Sequence, residues 1–186
     1  MYYMFLLTEF DEYAPKTENF KKNKMIFNSG DGVYIPMKYA NEILTSENFM
    51  IKIVAENPNN SEKKIVYAKA VKYDAPENSI VVPQWMVANL GLNYGDVVNI
   101  ESVNIDPITN IKFVTQKNII DPTSILEFEL RHKNILTCGD VIKSKIFEKS
   151  YDFIVKEIET TSGPKNIGSL YDNNVVSNII FEIDYN

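Results

Sequence analysis

Cysteine and histidine, the residues used most often for nucleophilic catalysis and zinc binding, each occur once in this 186-residue sequence. Cys138 and His132 lie six residues apart, and a Cys–His pair can act as nucleophile and base. A reactive thiolate needs a cationic setting or a helix N-terminus, whereas Cys138 stands between Thr137 and Gly139 in a predicted turn. One cysteine and one histidine also cannot supply an ordinary zinc ligand set. We therefore interpret Cys138 as a small residue that packs in a turn.

Two carboxylates follow glycine in a repeated Gly-Asp-Val sequence, at Asp96 and Asp140. A carboxylate pair that shares a cleft can perform acid–base catalysis. Aspartates in turns also accept hydrogen bonds from nearby backbone N–H groups, and we predict this capping role for both. The sequence has neither the Asp-Thr/Ser-Gly motif of aspartic proteases nor the Gly-x-x-x-x-Gly-Lys-Ser/Thr phosphate-binding loop. We predict that the protein is not an enzyme and uses neither a metal nor a cofactor.

The composition favours a globular protein with neutral or basic partners. Hydrophobic residues make up 45% of the chain and charged residues 24%, which is sufficient for a core. The net charge of −6 argues against nucleic-acid binding, which needs a positive field. The sequence has no run near the ~20 apolar residues of a membrane helix. A single cysteine is compatible with a reducing compartment, so we expect the cytoplasm or the nucleus.

A repeated unit is centred on Pro36 and Pro83, which are 47 residues apart. A short apolar stretch before each proline predicts a strand, and the proline suits the first turn of the helix predicted after it, at residues 37–44 and 84–90. A duplicated unit of this size predicts pseudo-twofold symmetry, in which each copy supplies part of one shared core.

The remaining predicted elements are mostly short strands. Further strands are predicted at residues 1–7, 50–55, 64–73, 151–157 and 175–183, and another strand ends at Val103. A further helix is predicted at residues 122–132. The polar, lysine-rich residues 11–28 predict a long loop, and residues 163–168 predict a turn. The two β-rich halves meet near Thr115. Many short strands with little helix favour a closed barrel, because closure avoids open sheet edges.

Short motifs stand in a fixed order along the chain: Val82-Pro-Gln-Trp-Met86, Asn89-Leu90, Gly95-Asp96, Ile100-Glu-Ser-Val-Asn-Ile105, Asp121-Pro122, Ile125-Leu-Glu127, Leu130-Arg131, Leu136-Thr137, Gly139-Asp-Val-Ile142, Tyr151 and Val175-Val-Ser-Asn-Ile-Ile180. Together they resemble the amino-terminal domain of the ubiquitin fusion degradation protein 1 family. Residues 1–28 match poorly and residues 61–75 diverge. The resemblance implies a mixed, mainly β fold, with a double-psi β-barrel at residues 1–114 and a smaller α+β subdomain at 115–186. The pseudo-twofold of such a barrel accounts for the repeat.

The resemblance also implies a function. It describes a non-catalytic adaptor that binds ubiquitin and polyubiquitin chains and recruits substrates to the valosin-containing AAA ATPase, a segregase. The adaptor acts with the nuclear protein localisation 4 protein in ubiquitin-dependent and ER-associated degradation. Family members carry a long tail with the segments that bind these two partners. Because this sequence ends at Asn186, we expect either a truncated form or a natural short member without those contacts.

Two other functions stay open at this stage. One is the substrate-binding N-domain of an AAA ATPase, which shares the two-part architecture and would be followed by Walker motifs in the full reading frame. The other is a barrel enzyme that has kept the fold, which would show a pocket with convergent polar groups and strongly shifted carboxylates.

Trp85 is the only tryptophan and the one residue that we predict to contact a partner. Alignment of the two copies pairs Lys38 with Trp85, and it pairs Tyr39 with Met86 on the stripe that should face the core. A position that accepts lysine points outward, and exposed aromatic side chains are favoured interface anchors. The alternative is that Trp85 packs against the second subdomain. The sequence leaves the residues that contact ubiquitin unknown, although an acidic domain suits ubiquitin's apolar patch and its basic rim.

Overall fold

The computed structural model describes residues 3–14, 19–43, 49–56, 63–115, 119–146, 148–170 and 180–185. The chain divides into two compact units, Met1–Asn104 and Ile105–Asn186. The elements of the first unit are β1 (Tyr3–Thr8), α1 (Phe10–Tyr13), α2 (Phe20–Ser29), β2 (Gly32–Tyr34), α3 (Met37–Ile43), β3 (Met50–Glu56), β4 (Lys63–Lys72), β5 (Ser79–Val81), α4 (Gln84–Leu90) and β6 (Val97–Ser102). Those of the second are β7 (Ile108–Thr115), α5 (Pro122–Leu130), β8 (Ile135–Thr137), β9 (Val141–Ile146), β10 (Lys149–Thr160), β11 (Gly163–Lys165), β12 (Ile167–Ser169) and β13 (Ile180–Tyr185).

Six strands of the first unit form a closed barrel in the order β1-β5-β2-β4-β3-β6. Strand β1 is parallel to β5 and β2 to β4, whereas the other neighbours are antiparallel. Alternate side chains point inward and fill the barrel with Phe5, Leu7, Val33, Ile35, Ile51, Ile53, Val66, Ala68, Ile80, Val82, Val98 and Ile100. Burial of a large apolar side chain contributes roughly 1.5–3 kcal/mol, so this interior is the main stabilising feature of the unit.

The barrel has the pseudo-twofold symmetry that the repeat predicts. Strands β2 and β5 pair at Tyr34 and Val81, and β3 and β6 pair at Ile53 and Ile100, so that each pair joins residues 47 apart. If β1 is exchanged with β4, β2 with β5 and β3 with β6, every strand keeps an equivalent pair of neighbours around the barrel. The axis therefore passes through these two pairs, and both copies line one core. The mainly β fold with a barrel is confirmed, and the double-psi crossing of its connections stays a prediction.

The long loop predicted at residues 11–28 is wrong, because this stretch contains most of α1 and all but one residue of α2. The phenylalanines of α1 and α2 cover the outer face of the β2–β5 pair. The ring centroids of Phe10 and Phe27 are 4.9 Å apart, and those of Phe27 and Tyr34 are 5.0 Å apart. Val81 completes this buried cluster. The stretch is polar and rich in lysine, and its helices form because tertiary packing of a few aromatic side chains overrides weak local preference.

The second unit is a smaller α+β fold organised around β10. This strand pairs antiparallel with β7, β9 and β11, and β13 adds to β7 in parallel. Strands β8 and β12 form a separate antiparallel pair. Helix α5 contributes Leu126 and Leu130 to a core that also contains Phe113 and Phe153. The sequence predicts a boundary between the two parts after residue 114, whereas the structure divides the chain after Asn104. The division lies earlier because β7 pairs with β10 and β13 and so belongs to the second unit.

Most of the predicted elements are present with small shifts at their ends. The helix predicted at 84–90 is α4 without change, and the one predicted at 122–132 ends earlier, at Leu130. Of the last predicted strand, residues 175–179 lie outside the described residues, and β13 includes the remainder. Residues 163–168 contain β11 and part of β12, so the prediction of only a turn there is wrong. Within the described ranges, no helix is long and apolar enough to cross a bilayer.

Candidate partner-binding surfaces

The two Gly-Asp turns have the same geometry in the two units. Asp96 Oδ2 accepts a hydrogen bond from the N–H of Asn93 at 2.8 Å. Asp140 Oδ2 accepts one from the N–H of Thr137, also at 2.8 Å. The glycine before each aspartate has a φ of 93° or 95°, a conformation that favours glycine. Each turn also exchanges two backbone hydrogen bonds with a neighbouring strand, β1 or β10. The predicted capping role is confirmed, because each carboxylate stabilises its own turn.

The environments of Cys138 and His132 disfavour a reactive pair. Cys138 is half-buried, and its Sγ lies 3.8 Å from the carbonyl oxygen of Lys165. Burial raises the pKa of the Cys138 thiol, and the charge of Asp140 adds to this effect. Burial, together with the charge of Arg131, lowers the pKa of the His132 imidazole. A thiolate–imidazolium pair needs the opposite shifts. In the part of the chain that the structure describes, no cluster of three or more His, Cys, Asp or Glu residues could hold a metal ion.

Trp85 lies in the first turn of α4, half-buried against the barrel core. Its Nε1–H donates a hydrogen bond to the carbonyl oxygen of Gly30 at 2.7 Å. The adjacent N–H of Gln84 donates to Asn28 Oδ1 at 3.0 Å. These two bonds connect the start of α4 to the end of α2. Lys38, the equivalent residue of α3, is exposed, so the position faces outward in one copy and is partly covered in the other.

The cause of this asymmetry is the connection that precedes each repeated strand. Between β1 and β2 the chain runs through α1 and α2, whereas between β4 and β5 it makes only a short connection. The longer connection ends beside α4 and supplies the Gly30 carbonyl that Trp85 binds. The contact of Trp85 with another protein stays a prediction.

Three apolar side chains project outward from β1 and β6 and form what we call the barrel patch. Met4 is 72% exposed, Leu6 44% and Val97 53%. Leu6 is the direct neighbour of Val97 across the two strands, and Met4 lies two residues along on the same face. Contiguous exposed apolar surface on a soluble protein marks a candidate partner site.

A groove of about 790 Å³ lies between α5 and β9 in the second unit, and we call it the α5 groove. Its apolar walls consist of Ile119, Ile120, Ile125, Phe128 and Ile146. Ile120 is 94% exposed and Phe128 56%, so the walls reach far into solvent. Asp121 and Glu129 line it from the side of α5, and Lys145 lines it from β9.

Local interactions fix the helix that forms one wall of the groove. Asp121 has a φ of 52° and caps α5 by accepting a hydrogen bond from the N–H of Ser124 at 3.2 Å. Hydrogen bonding to Ser124 holds the pKa of the Asp121 carboxyl below its usual value. Pro122 follows in the first turn, where no backbone N–H is needed. In the last turn, Glu129 Oε1 accepts from Ser144 Oγ at 2.8 Å, which fastens α5 to β9.

The sequence reasoning did not identify either surface. Alternation in β1 carries a signal for the barrel patch, because Met4 and Leu6 alternate with the buried Phe5 and Leu7. The adjacent Ile119 and Ile120 before the helix-capping aspartate carry a weaker signal for the groove. In both cases the exposed residues are as apolar as core residues, so only the three-dimensional arrangement distinguishes them.

The fold defines a class of protein in which a closed six-stranded barrel precedes a smaller α+β unit. The profile of the family described as "Ubiquitin fusion degradation protein UFD1, N-terminal subdomain 1" matches residues 9–106, a little over half of the chain. The chain belongs to this family. The match includes α1, α2 and residues 61–75, so the likeness extends to stretches that the motif comparison had excluded.

Curated relatives agree with this assignment. The ubiquitin fusion degradation protein 1 homolog of Caenorhabditis elegans is 27% identical over 136 residues, which cover 71% of this chain and 40% of the relative. The human ubiquitin recognition factor in ER-associated degradation protein 1 is 35% identical over 103 residues, covering 53% and 34%. Ubiquitin fusion degradation protein 1 of Saccharomyces cerevisiae is 25% identical over 144 residues, covering 75% and 40%. The chain therefore spans 40% or less of the length of these relatives.

Proposed function

We propose that this chain is a ubiquitin-binding module that recruits substrates to an AAA ATPase segregase in ubiquitin-dependent protein degradation, including ER-associated degradation. Membership of the ubiquitin fusion degradation protein 1 family carries the proposal. In this proposal the valosin-containing ATPase and the nuclear protein localisation 4 protein are the partners of the complete protein. The site of action is the cytoplasm or the nucleus, where a single cysteine stays reduced.

The role requires recognition and no chemical step. The capping roles of Asp96 and Asp140 support this part of the proposal. The pKa shifts at Cys138 and His132 support it too, because they disfavour a thiolate–imidazolium pair. Affinity for a single ubiquitin would be modest. A chain of ubiquitins would gain from a high effective concentration at neighbouring sites.

The barrel patch is the surface that suits ubiquitin in the first unit. Ubiquitin presents an apolar face with a basic rim, and Met4, Leu6 and Val97 offer an apolar counterpart on an acidic protein. Apolar contact would supply the affinity, and the opposite charges would speed the encounter.

An NMR titration tests the proposal. The ¹⁵N-labelled chain is titrated with mono-ubiquitin and then with a lysine-linked chain, and the backbone and the Trp85 indole signals are followed. We expect shifts on one face of the barrel, tighter binding of the chain, and loss of both in Val97→Ser. A matched control is Ile65→Ser, since Ile65 is 44% exposed on β4 and outside the patch.

Each outcome has a distinct meaning. Shifts that spare the barrel patch would move the ubiquitin site elsewhere and leave the adaptor role intact. A moving Trp85 indole signal would make this residue part of the contact. The absence of shifts with either ligand at near-millimolar concentration would overturn ubiquitin binding, and the N-domain of an AAA ATPase would become the better description.

A further inference from the structure

The barrel patch contains one side chain that can be modified covalently. Leu6 and Val97 are aliphatic, whereas Met4 carries a thioether sulfur. A thioether side chain is flexible and apolar, and its oxidation gives a sulfoxide, which is polar and can be reduced again. The patch therefore has a position at which a single oxygen atom changes its chemical character.

Solvent exposure divides the methionines of the described residues into two groups. Met50 and Met86 are buried, at 4% and 0% exposure. Met4, Met25 and Met37 are 72%, 69% and 61% exposed. An oxidant in solution reaches an exposed thioether, whereas a buried one is protected by its neighbours. Met4 is the most exposed of these five residues and the one that lies in the barrel patch.

The position of Met4 on β1 separates its oxidation from the stability of the fold. Met4 pairs with Asn99 of β6, so its backbone is fixed in the wall of the barrel. The next residue, Phe5, points inward and is 1% exposed. Because adjacent side chains of a strand point to opposite faces, an oxygen atom added to Met4 enters water and leaves the barrel core undisturbed.

Oxidation of Met4 has its effect when a partner covers the patch. In the free protein, water donates hydrogen bonds to the sulfoxide oxygen. The apolar face of ubiquitin would displace this water without supplying a donor, and a buried acceptor without a donor opposes binding. The reduced thioether has no such cost, and its flexibility lets it adapt to the surface that it meets.

We propose that Met4 is a reversible oxidation site, at which a peroxide converts the barrel patch from a ubiquitin-binding surface to a weakly binding one. This switch rests on the proposed function of the patch and regulates it. Hydrogen peroxide transfers one oxygen atom to Sδ of Met4, the sulfur is oxidised by two electrons, and the peroxide is reduced to water. A methionine sulfoxide reductase reverses the step with two thiols, and it releases water and a disulfide.

The test compares the ubiquitin affinity of the whole 186-residue chain before and after oxidation. The chain is treated with hydrogen peroxide, the peroxide is removed, and mono-ubiquitin is titrated by NMR. Mass spectrometry of the peptides measures the oxidised fraction of each methionine. We expect oxidation of Met4, protection of Met50 and Met86, and a rise of about tenfold in the Kd for ubiquitin. Methionine sulfoxide reductases with a thiol should restore the original Kd.

Two variants assign the effect to Met4. Met4→Leu keeps Cys138 and every other methionine, and its Kd for ubiquitin should be the same before and after peroxide treatment. The double variant Met25→Leu/Met37→Leu should bind as the parent protein does, and it should lose affinity in proportion to the oxidised fraction of Met4. Thermal unfolding of each protein before and after treatment, followed by circular dichroism, separates loss of binding from loss of fold.

Each negative result has its own meaning. If the untreated chain does not bind ubiquitin, the proposed function is overturned and the switch with it. If the untreated chain binds ubiquitin and the chain oxidised at Met4 binds equally well, only the switch is overturned and the adaptor role stands. If peroxide weakens Met4→Leu as much as the parent protein, another residue is responsible, and the switch at Met4 is wrong.

Discussion

Replacement of Trp85 by phenylalanine separates the structural role of this residue from its predicted role in partner contact. The change keeps a large aromatic ring on α4 and removes the Nε1–H that donates to Gly30 at 2.7 Å. A typical hydrogen bond contributes about 0.5–1.5 kcal/mol, and a buried acceptor left without its donor costs about 1–3 kcal/mol. Because Gly30 is buried, we expect Trp85→Phe to lower the free energy of unfolding by about 1–2 kcal/mol.

The assay is thermal unfolding followed by far-UV circular dichroism, since the variant has no tryptophan fluorescence. In a chain of this length, 1 kcal/mol shifts the Tm by roughly 2–4 °C, so the expected decrease is roughly 2–8 °C. The matched control is Lys38→Met at the pseudo-twofold position, where the side chain is exposed and the effect should stay within about 0.5 kcal/mol. A Tm for Trp85→Phe within 1 °C of the parent protein would refute the stabilising role of the bond.

Ubiquitin binding by the same variants completes the experiment. If Trp85 is a partner anchor, Trp85→Lys should lose affinity for polyubiquitin far more than Trp85→Phe, because only lysine removes the ring. If Trp85 is purely structural, both variants should bind as tightly as the parent protein at temperatures where they are folded.

Four further predictions concern stability and pH. Phe10→Ala should cost about 3–5 kcal/mol by emptying the cluster under α1 and α2, and urea unfolding with hydrogen exchange in α2 will measure it; normal protection there would contradict the packing. Gly168→Ala should cost about 1–3 kcal/mol, because the new Cβ would overlap an isoleucine of β7, and an unchanged urea midpoint would rule out that overlap. Gly139→Ala should cost about 1–2 kcal/mol although no atom lies within 4 Å of the new Cβ, because its φ is 95°; equal stability would show that the backbone shifts freely. Burial, and then two nearby carboxylates, raise the pKa of Tyr94 to about 12, above its usual value near 10. As the pH rises from about 10 to about 12, the unfolded chain releases the Tyr94 proton whereas the folded state retains it. The free energy of unfolding should therefore fall through this range. Tyr94→Phe should lack this part of the alkaline decrease in Tm, and an identical pH profile for the two proteins would contradict it.

The barrel could be predicted because the sequence features that indicate it are local and occur twice. Each copy has an apolar strand, a proline that suits the first turn of a helix, and a short helix, and the constant offset of 47 residues is the same in the sequence and in the strand pairs. The end of α4 could also be predicted, because glycine commonly follows the last residue of a helix. Gly91 occupies this position with a φ of 69°. Such features depend on neighbours in the chain, and no knowledge of the fold is needed to recognise them.

The helices α1 and α2 could not be predicted, because their stability comes from residues far away in sequence. Phe10 and Phe27 are 17 residues apart in a mostly polar stretch, and they form a buried cluster only when they pack on Tyr34 and Val81. The same dependence explains the missed β7, whose place in the second unit is defined by its pairing with β10 and β13.

By itself, the sequence determined the repeat, the strand and helix pattern, the acidic charge and the family resemblance, because these depend on residue types and their spacing along the chain. The tertiary structure alone decided which apolar side chains remain at the surface. Met4 and Phe5 are adjacent, yet one is 72% and the other 1% exposed, because the closed barrel turns alternate residues to opposite faces. It also decided the state of Trp85, whose counterpart Lys38 is exposed. Gly30 comes within hydrogen-bonding distance of the indole because the connection from β1 to β2 contains α1 and α2. The connection from β4 to β5 in the other copy has no such helices.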